Sequence, residues 1–313
     1  MKIALVTAIA AFSLDEDLAP LQHALEKAGI QAPILAWDDS TVSWSRFDAA
    51  LLRSPWDYAD RLAEFLGWAE RVSAQTQLLN PLEVIRRNTD KHYLADLAKV
   101  GIAVVPSEFV EPGDDAARAL TRFLKKYDDD AEFVVKPAVG AGSRDAQRYG
   151  RDQQTAANAH IERLLAEQRS VLMQPYLVSV DQAGETALMF FDGVFSHAIR
   201  KGSLLQRDEG PTRALFAPEK ISARAPDQDE LALAQSVLAA LPDGPLAYAR
   251  VDLIRAADGS PRLLELELTE PSLFFPYSEG SADRFAAALS RRLGRATTNA
   301  RGAEASARQV SAE

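Results

Sequence analysis

Two segments, Ala249-Arg250-Val251-Asp252-Leu253-Ile254 and Arg262-Leu263-Leu264-Glu265-Leu266-Glu267-Leu268, flank the dipeptide Asp258-Gly259, and this pattern constrains the chain more than any other. Alternation of polar and apolar residues is the period of a half-buried strand, and Asp-Gly favours a tight reversal. A two-residue turn there pairs position 252 with 265 and 250 with 267. Arg250, Asp252, Glu265 and Glu267 then share one face, while Val251, Leu253, Leu264, Leu266 and Leu268 occupy the other. Like charges opposite one another destabilise a sheet face, so acids gathered beside one arginine call for a cation. Oxygen ligands completed by water and phosphate suit magnesium. On this segment alone, a solvated outer face explains the pattern equally well.

Other segments bear on that choice. Phe133-Val134-Val135-Lys136-Pro137 reads as a strand that ends in lysine and runs into Gly140-Ala141-Gly142-Ser143-Arg144. Glycines let backbone amides approach phosphate oxygens, and Lys136 supplies a point charge to the same group. A strand-end surface lysine beside a plain turn is the alternative. Lys91 stands near a helix start, where a cation is disfavoured unless an anion is near; a solvated lysine on an amphipathic helix is the simpler explanation. In Leu172-Met173-Gln174-Pro175-Tyr176-Leu177 a linker between two units offers backbone groups to a nucleobase at Gln174, Tyr176 and Leu177. Asp181 is placed to meet ribose hydroxyls or to serve as a turn acid. Phe195-Ser196-His197-Ala198-Ile199-Arg200-Lys201 ends on two cations that alternation sends to opposite faces, and Lys201 is the better candidate for a transferred phosphoryl group. His197 lacks a partner at metal-ligand spacing and reads as structural.

Along the chain, strand Ile3 to Thr7, a helix from about Leu14 to Ala28 closed by Gly29, and strands at Ile34–Trp37 and Ala49–Leu52 begin a mostly parallel α/β unit. Asn80-Pro81 breaks the chain. Asn88 or Thr89 caps a helix to about Lys99, Val104-Val105-Pro106 is strand-like, and Ala116 to Tyr127 has helical spacing. Strands Ala187–Phe191 and Val194–Ile199 are joined by Asp192-Gly193, a hairpin signal, and a helix follows from about Asp227 to Leu241. From Leu293 the sequence is poor in apolar residues and reads as disordered. The divisions are therefore 1–80, 81–174, 175–292 and a tail over 293–313.

The 313 residues include no cysteine, which excludes disulfides, thiolate metal sites and cysteine nucleophiles. A net charge of −10 argues against a nucleic-acid carrier. The amino terminus lacks the layout of a signal peptide and no stretch is long enough to span a bilayer, so a soluble cytoplasmic protein without a membrane partner is expected.

In chain order, Asn88-Thr89-Asp90-Lys91, Val135-Lys136-Pro137 with its glycine loop, Gln174-Pro175-Tyr176-Leu177, Arg250-Val251-Asp252 and Leu264-Glu265-Leu266-Glu267 resemble the ATP-grasp superfamily over about residues 80–290. The resemblance implies an α/β N-terminal domain followed by a two-lobed α+β ATP-grasp fold gripping ATP. It implies phosphate contacts at Lys91, Lys136, Gly140, Gly142 and Ser143, and one or two magnesium ions on Asp252, Glu265 and Glu267. Many members have asparagine where Glu267 stands. The implied chemistry is phosphorylation of a carboxylate followed by attack of nitrogen, with Arg250 and Lys201 stabilising developing charge.

Arg53-Ser54-Pro55-Trp56-Asp57-Tyr58, Gly184-Glu185-Thr186, Phe195-Ser196-His197-Ala198 and Glu270-Pro271-Ser272-Leu273-Phe274 narrow the resemblance to the glutathione-synthetase and ribosomal-modification branch, and within it to the O-ureido-serine cyclo-ligases of cycloserine biosynthesis. Arg53, whose planar fork suits a carboxylate, Glu270 and Ser272 are the candidates for a small amino-acid-like substrate. Trp56 reads as core packing. Two-substrate ligation and a catalytically silent ATP-binding module are the rival readings, a homo-oligomer is compatible with the sequence, and the segment Ser203 to Thr212 has the composition of a closing loop.

Overall fold

The computed structural model describes residues 1–127, 132–205, 210 and 220–294. Ile3–Thr7 (β1) is buried along its whole length. It lies between Ile34–Ala36 (β2) and Ala49–Ser54 (β3), and Gln77–Leu79 (β4) completes a parallel sheet ordered β2-β1-β3-β4. Leu18–Lys27 (α1) and Leu62–Ser73 (α2) supply crossovers of the kind parallel strands need. The first helix begins later than its apolar spacing suggests, because the Asp15 carboxylate holds the Asp17 amide in a turn (2.9 Å). Gly29 closes it at φ 76°.

Leu82–Asn88 (α3) and Tyr93–Lys99 (α4) cross to a second sheet. Neither Asn88 nor Thr89 caps α4. Asn88 ends α3, donates to the Leu266 carbonyl (2.7 Å) and accepts from the Leu268 amide (2.7 Å), while Asp90 accepts from the His92 amide (3.1 Å). Val104-Val105-Pro106 makes one parallel bridge, Val104 to Leu263, and no strand. Glu108–Val110 (β5), Glu132–Pro137 (β6), Gln147–Gly150 (β7) and Val171–Pro175 (β8) form an antiparallel sheet ordered β5-β8-β6-β7. Ala116–Lys126 (α5) and Gln154–Ala166 (α6) cover one face of it.

After a short helix at Val180–Ala183 (α7), Glu185–Phe191 (β9), Val194–Lys201 (β10), Ile221–Arg224 (β11), Tyr248–Arg255 (β12) and Pro261–Glu267 (β13) build the third sheet, antiparallel in the order β11-β10-β9-β12-β13. Gln228–Ala239 (α8), capped by Asp227 and Glu230, packs on one face with α4. A helix over 281–294 (α9) and residues of the first sheet pack on the other. Asn80, fully buried, joins the first sheet to the third: its side chain donates to the Tyr248 and Leu268 carbonyls (2.9 Å each) and accepts from the Ala247 amide (2.8 Å). Leu293 is buried in this core, so the helix runs past the expected tail boundary; residues 295–313 of that tail lie outside the described residues.

Two bulges set the register of the third sheet. Asp192 and Gly193 take positive φ (50° and 78°), the two-residue turn that the sequence predicts. A bulge near Ser196 then shifts the pairing from Phe195↔Phe190 to His197↔Met189, which brings Lys201 opposite Glu185. In the second hairpin the Gly259 amide bonds the Ala256 carbonyl and the Ala256 amide bonds the Ser260 carbonyl, so the turn spans three residues. A bulge at Leu264 absorbs the extra residue and restores Asp252↔Glu265 and Arg250↔Glu267. The bulge reverses the expected place of Leu264: Leu263 joins Val251, Leu253 and Leu266 in the core, and Leu264 turns to the opposite face with Ile254.

Candidate active site

Residues of the second and third sheets line one cavity. Its apolar part is formed by Val105, Val134, Val180, Ile254 and Leu264, with Tyr176 and Leu177 at the junction after β8. The Tyr176 amide is committed to the Glu132 carbonyl (2.9 Å), whereas the Leu177 amide has no acceptor among the described residues. Gln174 lines the wall and donates to the Ser107 hydroxyl (2.9 Å). A flat heterocycle meets apolar side chains on both faces here, with one backbone donor at its edge.

The polar end gathers charges from six segments. Lys91 Nζ bonds the Gly140 carbonyl (2.8 Å) and pairs with Glu265 (2.9 Å). Lys201 Nζ lies 2.7 Å from Asp252 and 2.8 Å from Glu185. Arg250 grips both Asp252 oxygens (2.8 and 2.9 Å), reaches Glu267, donates to the Ser272 carbonyl (3.2 Å) and lies over the Phe274 ring. Lys136, on β6, has no hydrogen-bond or ion-pair partner among the described residues. Gly140, Gly142 and Ser143 curve along the wall, and consecutive positive φ at Gly142 (62°) and Ser143 (57°) turn the loop sharply.

This geometry corrects the sequence argument in one respect. The acids were matched with a single arginine, but the fold brings Lys91, Lys136 and Lys201 to the same face, so protein cations already neutralise much of the charge. Burial works against the charged Asp252, yet Arg250 and Lys201 outweigh it and hold the carboxyl at about 2. Burial likewise opposes Glu265, and Lys91 and Lys136 leave it below its usual value. Glu267 differs: burial, helped by Asp252, Glu265 and Glu270, outweighs Arg250 and pushes it up to about 8. Burial also lowers Lys136, with Lys91 reinforcing the effect against Glu265.

The donor set fits magnesium under one condition. Among the described residues no group of three acids or histidines is close enough to cage a metal unaided. An ion on Glu265 and Glu267 therefore needs phosphate oxygens and water for its remaining positions, which is how magnesium is ordinarily held. Asp252 is 1% exposed, is absent from the cavity wall and is saturated by Arg250 and Lys201, so as a ligand it would first have to release one of them.

Two further candidates are placed elsewhere. Asp181 is absent from the wall; Arg148 pairs with its carboxylate (3.2 Å) and the Tyr176 hydroxyl donates to it (2.5 Å), while Arg148 stacks 3.6 Å over the Tyr176 ring. Arg53 is fully buried outside the wall, 3.6 Å from Asp17 and donating to the Pro271 carbonyl (2.9 Å), so in this structure it braces the loop that carries Glu270 and Ser272, with its Nε and Nη1 left without a hydrogen-bond partner. Asp17 accepts the successive amides of Leu273 (2.5 Å), Phe274 (3.0 Å) and Phe275 (2.9 Å). Glu270 and Ser272 do line the cavity, and burial pushes Glu270 up to about 7 against the lowering influence of the Tyr58 hydroxyl and Lys91. Trp56 belongs to the core and to the wall, with its indole NH on the Glu270 carbonyl (3.1 Å).

Lys201 faces the cavity as expected, since Arg200 turns away to the Ala183 and Gln182 carbonyls. His197 is structural: its Nε2 donates to the Leu273 carbonyl (2.8 Å), and burial lowers it to about 4, leaving it neutral. Of the expected closing loop, Ser203, Leu204 and Leu205 line the cavity, whereas 206–209 and 211–212, with Arg213, lie outside the described residues. Sequence reasoning missed the roles of Glu185, Tyr58, Asp17 and Asn80. Only Glu185 carried a signal, its place opposite Lys201, and the bulge concealed it.

The chain is 48% identical over 298 residues to the cycloserine biosynthesis protein DcsG of Streptomyces lavendulae, an alignment spanning 93% of this chain and 98% of that protein. It belongs to the DcsG family. Residues 3–80 match the family model described as the N-terminal domain of D-cycloserine synthetase DcsG. The crystal structure of D-cycloserine synthetase DcsG superimposes with a TM-score of 0.89 at 48% identity, covering 94% of this chain and 100% of that one. The ATP-grasp ligase PsnB, crystallised with a minimal precursor, Mg and ADP, shares the fold at 20% identity with a TM-score of 0.61, covering 93% and 97%. As a DcsG-family ATP-grasp protein, the chain is an ATP-dependent carbon–nitrogen ligase. Among the described residues of this family member, no helix is long and apolar enough to cross a membrane.

Proposed function

We propose that the chain phosphorylates the carboxylate of a small amino-acid-like substrate with ATP and then closes a ring by attack of the substrate's own nitrogen, converting O-ureido-serine to cycloserine. The observation that carries this reading is the near full-length similarity to DcsG, and the cavity is consistent with it: phosphate-type groups at one end, Glu270 and Ser272 at the other.

In this reading the slot between Ile254, Leu264 and Val134 takes adenine, and the Leu177 amide contacts its edge. Lys91, Lys136 and the Gly140–Ser143 loop bind the phosphates. Lys201 turns from Asp252 to the phosphoryl group; Glu265, Glu267 and the Asp252 so released would hold a magnesium ion, which would screen the charge on the polyphosphate. The two lobes, 81–174 and 175–292, grip the nucleotide, and the 1–80 domain braces the substrate loop through Asp17 and Arg53.

A carboxylate oxygen attacks the γ-phosphorus, ADP leaves, and an acyl phosphate forms. The ureido nitrogen bonded to oxygen attacks the acyl carbon, phosphate leaves, and an N-carbamoyl isoxazolidinone results. Water then removes the carbamoyl group as carbon dioxide and ammonia, so each turnover consumes one water and one ATP. Arg250 stabilises the tetrahedral oxyanion, and its rigid ties to Asp252 and Ser272 pre-orient it. No side-chain nucleophile is needed, in keeping with a chain that has no cysteine.

Substrate labelled with oxygen-18 in its carboxylate tests the acyl phosphate. The released phosphate is expected to carry one label per turnover by mass spectrometry; unlabelled phosphate alongside product formation would reject carboxylate activation.

The raised Glu267 carboxyl yields a second expectation. Its folded value of about 8 lies above the ordinary 4.5, so the folded chain holds a proton that the unfolded chain lacks between these values. Stability contributed through this group therefore falls as pH rises through that window. Magnesium binding requires the charged form, so ADP with magnesium should release roughly one proton at pH 7 and almost none above about pH 9. Calorimetry in buffers of different ionisation enthalpy measures this, and equal apparent heats in all buffers at pH 7 would exclude it.

A further inference from the structure

Arg144 follows directly on the small-residue loop and lines the same cavity. Its Nη1 donates to the Asp60 carboxylate (2.6 Å), reaching from the second sheet's loop to the N-terminal unit. Asp60 is 57% exposed on its side chain, so this pair contributes little stability. The Nη2 group is buried and has no hydrogen-bond partner. A buried donor without an acceptor costs roughly 1–3 kcal/mol, and the exposed ion pair does not offset that. Arg144 itself lines the cavity, so a turn of its guanidinium brings this unpartnered donor to an anion that enters there.

Its surroundings identify the anion. On one side are Gly140, Gly142, Ser143 and the unpartnered Lys136; on the other, Asp60 lies two residues from Tyr58, whose hydroxyl influences the Glu270 carboxyl at the substrate end. The other cations of the wall are committed to acids: Lys91 to Glu265, Lys201 to Glu185 and Asp252, Arg250 to Asp252 and Glu267. We infer that Arg144 is a further catalytic residue, its Nη2 donating to the phosphoryl group in transit from ATP to the carboxylate, while Asp60 orients the guanidinium. In a largely dissociative transfer, charge sits on the equatorial phosphoryl oxygens, and a planar guanidinium aimed at them stabilises the transition state more than the bound nucleotide. The inference rests on the carboxylate-activation reading, and the experiment separates the two.

Arg144→Ala and Asp60→Asn are compared with the wild type by calorimetry, using ADP and magnesium with and without aluminium fluoride, and by ADP formation with O-ureido-serine. Arg144→Ala should bind ADP within about threefold of wild type but lose about 10²-fold in fluoride-complex affinity and in kcat. Methylguanidinium in solution should restore at least about tenfold of that kcat, and Asp60→Asn should show a smaller loss that methylguanidinium does not repair. A fluoride complex as tight in Arg144→Ala as in wild type, an equal loss of ADP affinity, or absence of rescue would each overturn the assignment. Failure of the wild type to consume O-ureido-serine would count against the proposed substrate and leave the fluoride comparison intact as the test of Arg144.

Discussion

Arg250→Met is expected to lower kcat by about 10³-fold with the secondary structure retained. Methionine fills much of the arginine volume, so the loss is electrostatic more than steric. Three consequences act together. The oxyanion loses its donor, Asp252 keeps only Lys201, which it shares with the competing acid Glu185, and the Ser272 carbonyl loses the guanidinium that ties the substrate loop to β12. Arg250→Lys should recover little, because one ammonium cannot grip both Asp252 oxygens and still reach Glu267 and Ser272. Steady-state kinetics beside circular dichroism measures this; a folded Arg250→Met protein within tenfold of wild-type kcat would remove Arg250 from the chemistry.

Gly184→Ala should disrupt both stability and activity although the residue touches no ligand. Gly184 sits at φ 69°, ψ −171°, a region that residues with a Cβ scarcely enter. A Cβ there would lie 2.3 Å from the Lys201 carbonyl oxygen and 2.8 Å from the Arg200 guanidinium nitrogen. Backbone strain and the forced shift together are expected to cost about 3 kcal/mol or more. The shift acts on the end of β10, where Lys201 meets Glu185 and Asp252, so kcat should fall even where the variant remains folded. Denaturant titration and kinetics check this, and an alanine variant with unchanged midpoint and rate would contradict the close approach.

The alternation around Arg250 and Asp252 made one strand pair legible, and its register came out as expected because two departures cancel: the turn is one residue longer, and the bulge at Leu264 takes up that residue. Leu264 itself was assigned to the wrong face, since a bulge leaves no mark in a polar–apolar pattern. The same blindness separated Lys201 from Glu185. Local signals fared well where the chemistry is local, as at Gly29 and Asp192-Gly193. They failed where partners are distant in sequence: Asp17 caps amides 256 to 258 residues away, and Arg53 reaches a carbonyl 218 away. A fork suited to a ligand carboxylate and a fork bracing a loop read identically in one dimension. The charge count erred for the same reason, because three lysines arrive from segments remote from the hairpin.

The most direct test of the central claim is an incubation of the purified chain with O-ureido-serine, ATP and magnesium, with and without a panel of free amino acids and small peptides, following ADP and identifying products by mass spectrometry. The account predicts cycloserine and ADP in equal amounts with no added amine, together with equimolar ammonia. ADP formation that requires a second, separate amine and yields a linear amide would contradict it.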